Sequence, residues 1–511
     1  MLAQVLCQIP VICRQIGFAS KPAPTERNHR REYRPMPSAQ SDLAVRHFLE
    51  EFWLALGGQA HALDHLKVTG EGALASAFPV TDFATAAIAA AHLAVAELIS
   101  QAHGTLPPVA VDRRLASFWF ATSLQPQGWT LPAQWDAVAG DYLAADGWIR
   151  LHTNAPHHRQ AALAVLKTAP ERYAVSQAVR RWQATALESA VVDNQGCAAA
   201  MLSAAAWRDH PQGRAVAAEP LLHRVDAALP PASAMPGAGP SNRARPEWSV
   251  PRERPLQGIR VLDLTRILAG PVATRFLAGF GAEVLRIDPF GWDEPGTVPE
   301  VALGKRCARL DLREPRDRAV LEGLLGEADV IVHGYRADAL ARLGLSAERR
   351  RQLNPGLVDV SLNAYGWSGP WRERRGFDSL VQMSVGIADA GMNAAGSDRP
   401  VPLPVQALDH ATGYLMAAAA VRGLTQRLAT GQGVQVQASL ARTALSLTSY
   451  SATGGQPSAL QPLSPSDYGA DIEHTAWGPA LRLTPAGQIE GTPTHWKWPA
   501  GPLGRADARW L

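Results

Sequence analysis

Between Leu256 and Leu362 the chain alternates short apolar runs with polar, glycine-marked breaks, the pattern of strands joined by helices. Ile259-Arg260-Val261-Leu262-Asp263-Leu264 reads as a strand and Ala269-Gly270-Pro271 as its turn. Val272 to Ala278 reads as a helix, ended by Gly279 and Gly281. Glu283 to Asp288 is the next strand. Ala308 to Leu312, Val330 to His333 and Leu357 to Leu362 continue the series, with helices near 316–326 and 337–343 between them. Strands alternating with helices predict an α/β fold built on a doubly wound parallel sheet, with a ligand site at the carboxyl ends of the strands. The first turn is not G-x-G-x-x-G, so the dinucleotide fingerprint is absent.

Two Ala-rich stretches carry helical patterning and begin alike. Asp82-Phe83-Ala84-Thr85 heads one that ends near Gly104, and Asp409-His410-Ala411-Thr412 heads another that ends near Gly431, at the same separation. The repeat is faint, because Ala-rich helices align easily by accident. A carboxylate at a helix N-terminus is expected to stay ionised, since the dipole and the free N–H groups favour negative charge. Such an anion can attack an activated acyl group. It can equally be a helix cap, and local sequence alone favours the cap for Asp409.

Composition narrows the class. A hydrophobic share of 47% and a charged share of 19% over 511 residues are those of a globular chain with a substantial core. A net charge of +3, with no basic stripe interleaved with aromatics, gives no footprint for nucleic acid. Cys7, Cys13, Cys197 and Cys307 are scattered, which predicts free thiols and a cytoplasmic location. His61 and His65 stand four apart with no third metal ligand, and His157-His158 reads as surface. Trp119 and Phe120 read as core, and no G-x-S-x-G or Walker sequence occurs. No metal site and no membrane span are expected. Residues 1–40 read as a disordered tail, and the Pro-rich stretch 225–254 as a linker between an Ala-rich first part (41–224) and the α/β part (255–454), with 455–511 as a closing segment.

Several blocks, in order, make residues 255–450 resemble the class III CoA-transferase family, which includes formyl-CoA and carnitine CoA-transferases and α-methylacyl-CoA racemases. They are Leu256-Gln257-Gly258-Ile259-Arg260-Val261-Leu262-Asp263-Leu264-Thr265, Ala269-Gly270-Pro271, Gly281 to Asp288, Gly304-Lys305-Arg306 and Leu310-Asp311-Leu312. Ala328 to Val332, Arg336, Leu340 to Leu345, Asn354-Pro355, Gly366, Gly369-Pro370 and Gly376-Phe377-Asp378 complete the run. The first part resembles the same family's smaller α+β domain through Ala144 to Ile149, Ala178 to Val192 and Asn194 to Leu222. The resemblance thus implies two partial copies in a rearranged order, with Asp82 as a relic of the nucleophile helix in a truncated first copy.

The resemblance implies a Rossmann-like large domain and a CoA-transferase that moves CoA from an acyl-CoA donor to a carboxylic acid acceptor. Asp409 becomes the residue that carries the acyl group, and Asp378 is structural. Lys305, Arg336, Ala269 and Gly270 fall where the family contacts CoA, which is a substrate here; no tightly bound cofactor is implied. A homodimer is implied as well. Pro289, Leu268 and Asn363 stand where the family usually has Arg, Gln and Lys. Phe377 stands where the racemase branch has an acid/base His, which disfavours racemisation; His410 adjoins Asp409 on the helix and is expected to point elsewhere. Two alternatives remain open: a non-catalytic acyl-CoA-binding member, and a CoA-thioester isomerase acting through the same Asp.

Overall fold

The structure is a computed structural model that describes residues 38–225, 248–335, 339–450 and 458–511. Most of the expected tail and linker, and Arg336, lie outside the described residues. Seven strands form the main sheet: β1 (His223–Val225), β2 (Arg260–Leu264), β3 (Glu283–Asp288), β4 (Lys305–Arg309), β5 (Val330–His333), β6 (Val358–Asn363) and β7 (Val434–Ser439). Their order is β4-β3-β2-β5-β6-β7-β1. All neighbours are parallel except β1, which adds antiparallel at the β7 edge. Strand order therefore reverses between β2 and β5, the place where an open α/β sheet leaves a crevice at its carboxyl edge.

Both faces of the central strands are covered, which is why they read as near-continuous apolar runs. On one face Val261, Val284, Val332, Val358 and Val434 pack beneath helices; on the other, Leu262, Leu285 and Ile331 meet Leu321, Leu324 and Leu325 of the helix Pro315–Glu327. The strand read as Ala308 to Leu312 instead runs Lys305–Arg309, because its partner β3 ends at Asp288 opposite Arg309. Ala269-Gly270-Pro271 is the first helical turn rather than a loop, and a proline is tolerated there since its missing N–H has no helical acceptor. Residues 198–200 pair with Trp148–Leu151, which pairs with Gly140–Leu143, giving a smaller antiparallel sheet with its own core of Val138, Tyr142, Ile149, Leu187 and Val191. The C-terminal segment is stitched into the first part: Gly487–Ile489 pairs with Val109–Asp112, and Gly478–Arg482 with Leu124–Pro126.

Five helices set the site: α1 (Ser38–Ala55), α2 (Val80–His103), α3 (Ala269–Gly279), α4 (Asp378–Ser384) and α5 (Ala407–Thr430). Helices α2 and α5 pack along each other, and Phe48 and Phe52 of α1 set their rings edge-on to Phe83 of α2. Both α2 and α5 are 24 residues long and end at a left-handed glycine, Gly104 (φ 78°) and Gly431 (φ 70°), where other residues are strained. Their preceding residues share one conformation, Pro79 at φ −77°, ψ 63° and Gln406 at φ −76°, ψ 64°.

Small residues let α5 sit deep. A Cβ at Gly413 would lie 2.4 Å from the carbonyl oxygen of Ala269, and one at Gly423 would lie 2.6 Å from Val358 Cγ1. The first contact seats α5 on α3 and the second seats it on β6, so together they fix where Asp409 stands. Replacing Gly413 by Ala forces backbone against backbone, an overpacking that should cost about 1–3 kcal/mol. A denaturant midpoint unchanged from wild type would contradict this seating.

Candidate functional site: the start of helix α5

Asp409 is the third residue of α5 and is buried. The helix start is capped from outside. Asp378, first residue of α4, accepts the backbone N–H of Asp409 on Oδ2 at 2.9 Å, and the Leu408 N–H as well. Gln382, one turn along α4, donates to Asp378 Oδ1, and its own oxygen accepts the Leu403 N–H at 2.7 Å. One buried carboxylate and one amide thus hold residues 403–409 in place. Asp409 makes no side-chain cap, and among the described residues its carboxylate has no hydrogen-bond donor. The cap reading therefore passes from Asp409 to Asp378.

The electrostatics follow from that arrangement. Burial, and next the charge of Asp378, push the Asp409 carboxyl well above the ordinary carboxylate range. Burial also raises Asp378, to about 6, but its N–H donors and Gln382 stabilise its ionised form. So Asp378 keeps the negative charge of the pair and Asp409 takes the proton. The expected ionised Asp409 is corrected here: the N–H groups at the helix start face Asp378 instead.

Neighbouring groups separate cleanly. His410 turns away and stacks on Phe120 at 4.9 Å; burial, then Arg275, lower its imidazole to about 3. Phe377 lies face to face with His152 of the smaller sheet at 3.7 Å. Asp82, the counterpart of Asp409 on α2, is ion-paired with Arg113. His61 and His65 are exposed, and among the described residues no group of three or more His, Cys, Asp or Glu side chains could hold a metal.

Of the residues expected to hold CoA, the three that are described, Lys305, Ala269 and Gly270, do not form an open cradle. Lys305 is buried, its ammonium 3.0 Å from Asp263 Oδ2 and 2.9 Å from the Pro271 carbonyl. That is a structural ion facing the protein interior, so the phosphate contact expected of it is corrected. Ala269 and Gly270 are buried in the first turn of α3, and a Cβ at Gly270 would meet Thr265 at 2.3 Å. They serve close packing. Asn363 closes a turn, exchanging hydrogen bonds with the backbone of Gly366 at 2.7 and 2.8 Å.

The structure brings together three residues that the sequence reading passed over. Arg266 lies over the Trp292 ring at 4.5 Å and the Tyr335 ring at 5.3 Å. These residues follow β2, β3 and β5, so they stand at the carboxyl edge where strand order reverses. Thr265 is tied to Asp263 through its N–H at 2.9 Å, which shapes the turn into Arg266. Arg309 donates to the carbonyls of Pro289 and Trp292 and fixes the neighbouring loop. The signal was positional: each lies within four residues of a legible strand end.

Linkage gives the site a pH signature. A carboxyl raised in the folded state binds more protons than it does unfolded, so stability falls as pH rises from the ordinary carboxylate range through the raised value. Asp409→Asn removes that penalty. The variant should therefore be more stable than wild type at pH 8, with the gap closing toward pH 4, read as thermal midpoints across that range. A gap independent of pH would contradict the assigned protonation.

Residues 256–470 match the family model of CoA-transferase family III. The chain is 31% identical over 235 residues to succinyl-CoA:glutarate CoA-transferase of Mus musculus, covering 43% of this chain and 53% of that protein. It is 30% identical over 324 residues to an acyl-CoA transferase of Gibberella moniliformis, covering 58% and 54%. The chain thus spans about half the length of the curated relatives it matches. Among solved structures, Rv3272 from Mycobacterium tuberculosis aligns with TM-score 0.36 at 31% identity, covering 38% of this chain and 57% of that one. A CAIB/BAIF family protein from Brucella suis aligns with TM-score 0.36 at 25% identity, covering 45% and 66%. The segment 256–470, which holds strands β2 to β7 and Asp409, is the part of the chain that matches CoA-transferase family III.

Proposed function

We propose that this protein transfers CoA from an acyl-CoA to a carboxylic acid, with Asp409 as the covalent carrier. The observation that carries the reading is the buried Asp409 carboxyl, left without a hydrogen bond among the described residues while Asp378 caps its helix. The ionised Asp409 attacks the thioester carbonyl, the C–S bond breaks, and CoA leaves as thiolate, giving a mixed anhydride. The thiolate attacks the Asp409 carbonyl, releasing the donor carboxylate and leaving an aspartyl-CoA thioester. The acceptor carboxylate then attacks that thioester, and the thiolate returns to the acceptor's acyl carbon. A poorly solvated carboxylate is the stronger nucleophile once deprotonated, which gives the raised proton affinity of Asp409 a use. The N–H groups of Leu408 and Asp409 already serve Asp378, so they are not the oxyanion donors.

Arg266, Trp292 and Tyr335 are the proposed contacts for the charged and aromatic end of CoA, since a guanidinium suits phosphate and a ring face suits adenine. The first part is proposed to be a partial second copy, on the matched lengths and starts of α2 and α5. A cytosolic location is proposed on the buried free thiols Cys197 and Cys307.

The test is an assay with a panel of acyl-CoAs and carboxylic acids. Asp409→Ala should lose at least about 1,000-fold in turnover, and the acid limb of the wild-type kcat/KM profile should lie above the ordinary carboxylate range. Turnover that survives in Asp409→Ala would contradict the reading, and absence of transfer by folded wild type would favour a non-catalytic acyl-CoA binder. Product formed without any acceptor would favour an isomerase. A homodimer is also proposed; light scattering should give twice the chain mass, whereas a single-chain mass would show that the α2–α5 pairing suffices.

A further inference from the structure

The sheet face away from α5 carries a partly open cavity of about 170 Å³, lined by both polar and apolar side chains. Gly423 packs Val358 and Val434 against α5, so strand alternation sends Asp359, Ser361, Gln435 and Gln437 to the opposite face. Register sets them in rows. Ser361 stands between His333 of β5 and Gln437 of β7, and Asp359 stands beside Gln435. Leu340, Ala347 and Trp367 complete an apolar side.

The charges here cancel among themselves. Asp359 lies 3.1 Å from His333 Nε2 and accepts from Arg350 Nε at 2.8 Å, and Arg350 also donates to the Leu345 carbonyl at 2.7 Å. Burial alone would raise Asp359, but His333 and Arg350 outweigh it and hold the carboxyl at about 2. Burial first of all keeps His333 neutral. With an ionised Asp359 accepting at Nε2, His333 carries its proton there and presents Nδ1 as a bare acceptor. Among the described residues, two buried polar atoms of the lining have no hydrogen-bond partner: His333 Nδ1 and the Ser361 hydroxyl, on residues 7% and 1% exposed. Unpaired polar groups at such depth are costly unless something binds them.

We propose that this cavity binds a small uncharged molecule bearing hydroxyl groups, held by His333 Nδ1, the Ser361 hydroxyl and the amides of Gln435 and Gln437. A hydroxyl donates to Nδ1 and exchanges hydrogen bonds with Ser361. Among the described residues an anion would meet the Nδ1 lone pair and find no unbalanced positive charge, since Arg350 is paired, and a cation would find Asp359 paired. Size fits: a cavity of roughly 150 Å³ takes up benzene, so about six to eight non-hydrogen atoms can enter. The site is independent of the reaction at Asp409.

Catechol, which joins two hydroxyls to a ring, is the probe, with benzoate and toluene as controls of similar size. Titration by ligand-observed NMR should show saturable catechol binding to wild type, weakened at least tenfold in Ser361→Ala and in His333→Phe. Gln437→Ala, at the half-buried rim where folding is not at stake, should weaken it several-fold. Soaked crystals should place a catechol oxygen against His333 Nδ1. Three results would overturn the proposal: no saturable binding to folded wild type, with only ordered water in the cavity; benzoate or toluene binding as well as catechol; or affinity unchanged in all three variants.

Discussion

Helix α5 begins where the Asp378 carboxylate receives the N–H groups of Leu408 and Asp409. A helix start leaves amide protons without acceptors, and burying them unpaired would cost free energy. Had Asp409 met that need itself, its carboxylate would be folded back on the backbone. Because a residue from another helix meets it, the Asp409 carboxyl, though buried, is not folded back on the backbone. The same contact places two carboxylates side by side in a poorly hydrated place, so one proton is retained by the pair. The positioning of the segment, its electrostatics and the proposed chemistry all rest on that one hydrogen-bonded junction.

Much of this could be read in advance, for physical reasons. Strands buried on both faces must be apolar along their whole length, so β2, β3, β5 and β6 were legible within a residue or so. β7 was missed, though Val434-Gln435-Val436-Gln437 alternates as a one-sided strand should. The short edge strand β1 has no such signal, because its place depends on the rest of the sheet. Asp409 was legible as a helix-heading carboxylate, but its burial and its neighbour Asp378 were not. Two residues 31 apart in sequence meet only through tertiary packing, and a proton affinity set by that meeting has no local signature.

The misplaced residues teach the same lesson from the other side. Lys305 was expected at the CoA contact, a role that needs an exposed ammonium, and lysines are seldom buried. Here it closes a buried network in which Asp263 takes its ammonium and Arg286 is held by Asp288 and Glu294. Removing one partner from such a network strands a buried charge, typically at about 3–5 kcal/mol. That network ties the start of β4 to the carboxyl ends of β2 and β3, after which Arg266 and Trp292 follow. Arg266 was missed because its importance comes from Trp292 and Tyr335, which reach it only after the sheet has folded.

Hydroxylamine trapping with peptide mapping tests the central claim most directly. Wild-type protein incubated with an acyl-CoA that it consumes, then with hydroxylamine, should carry a hydroxamate on Asp409. Asp82, ion-paired with Arg113, and Asp378, engaged at the helix start, should remain unmodified. A hydroxamate on Asp378 or Asp82, with Asp409 unmodified, would contradict the account.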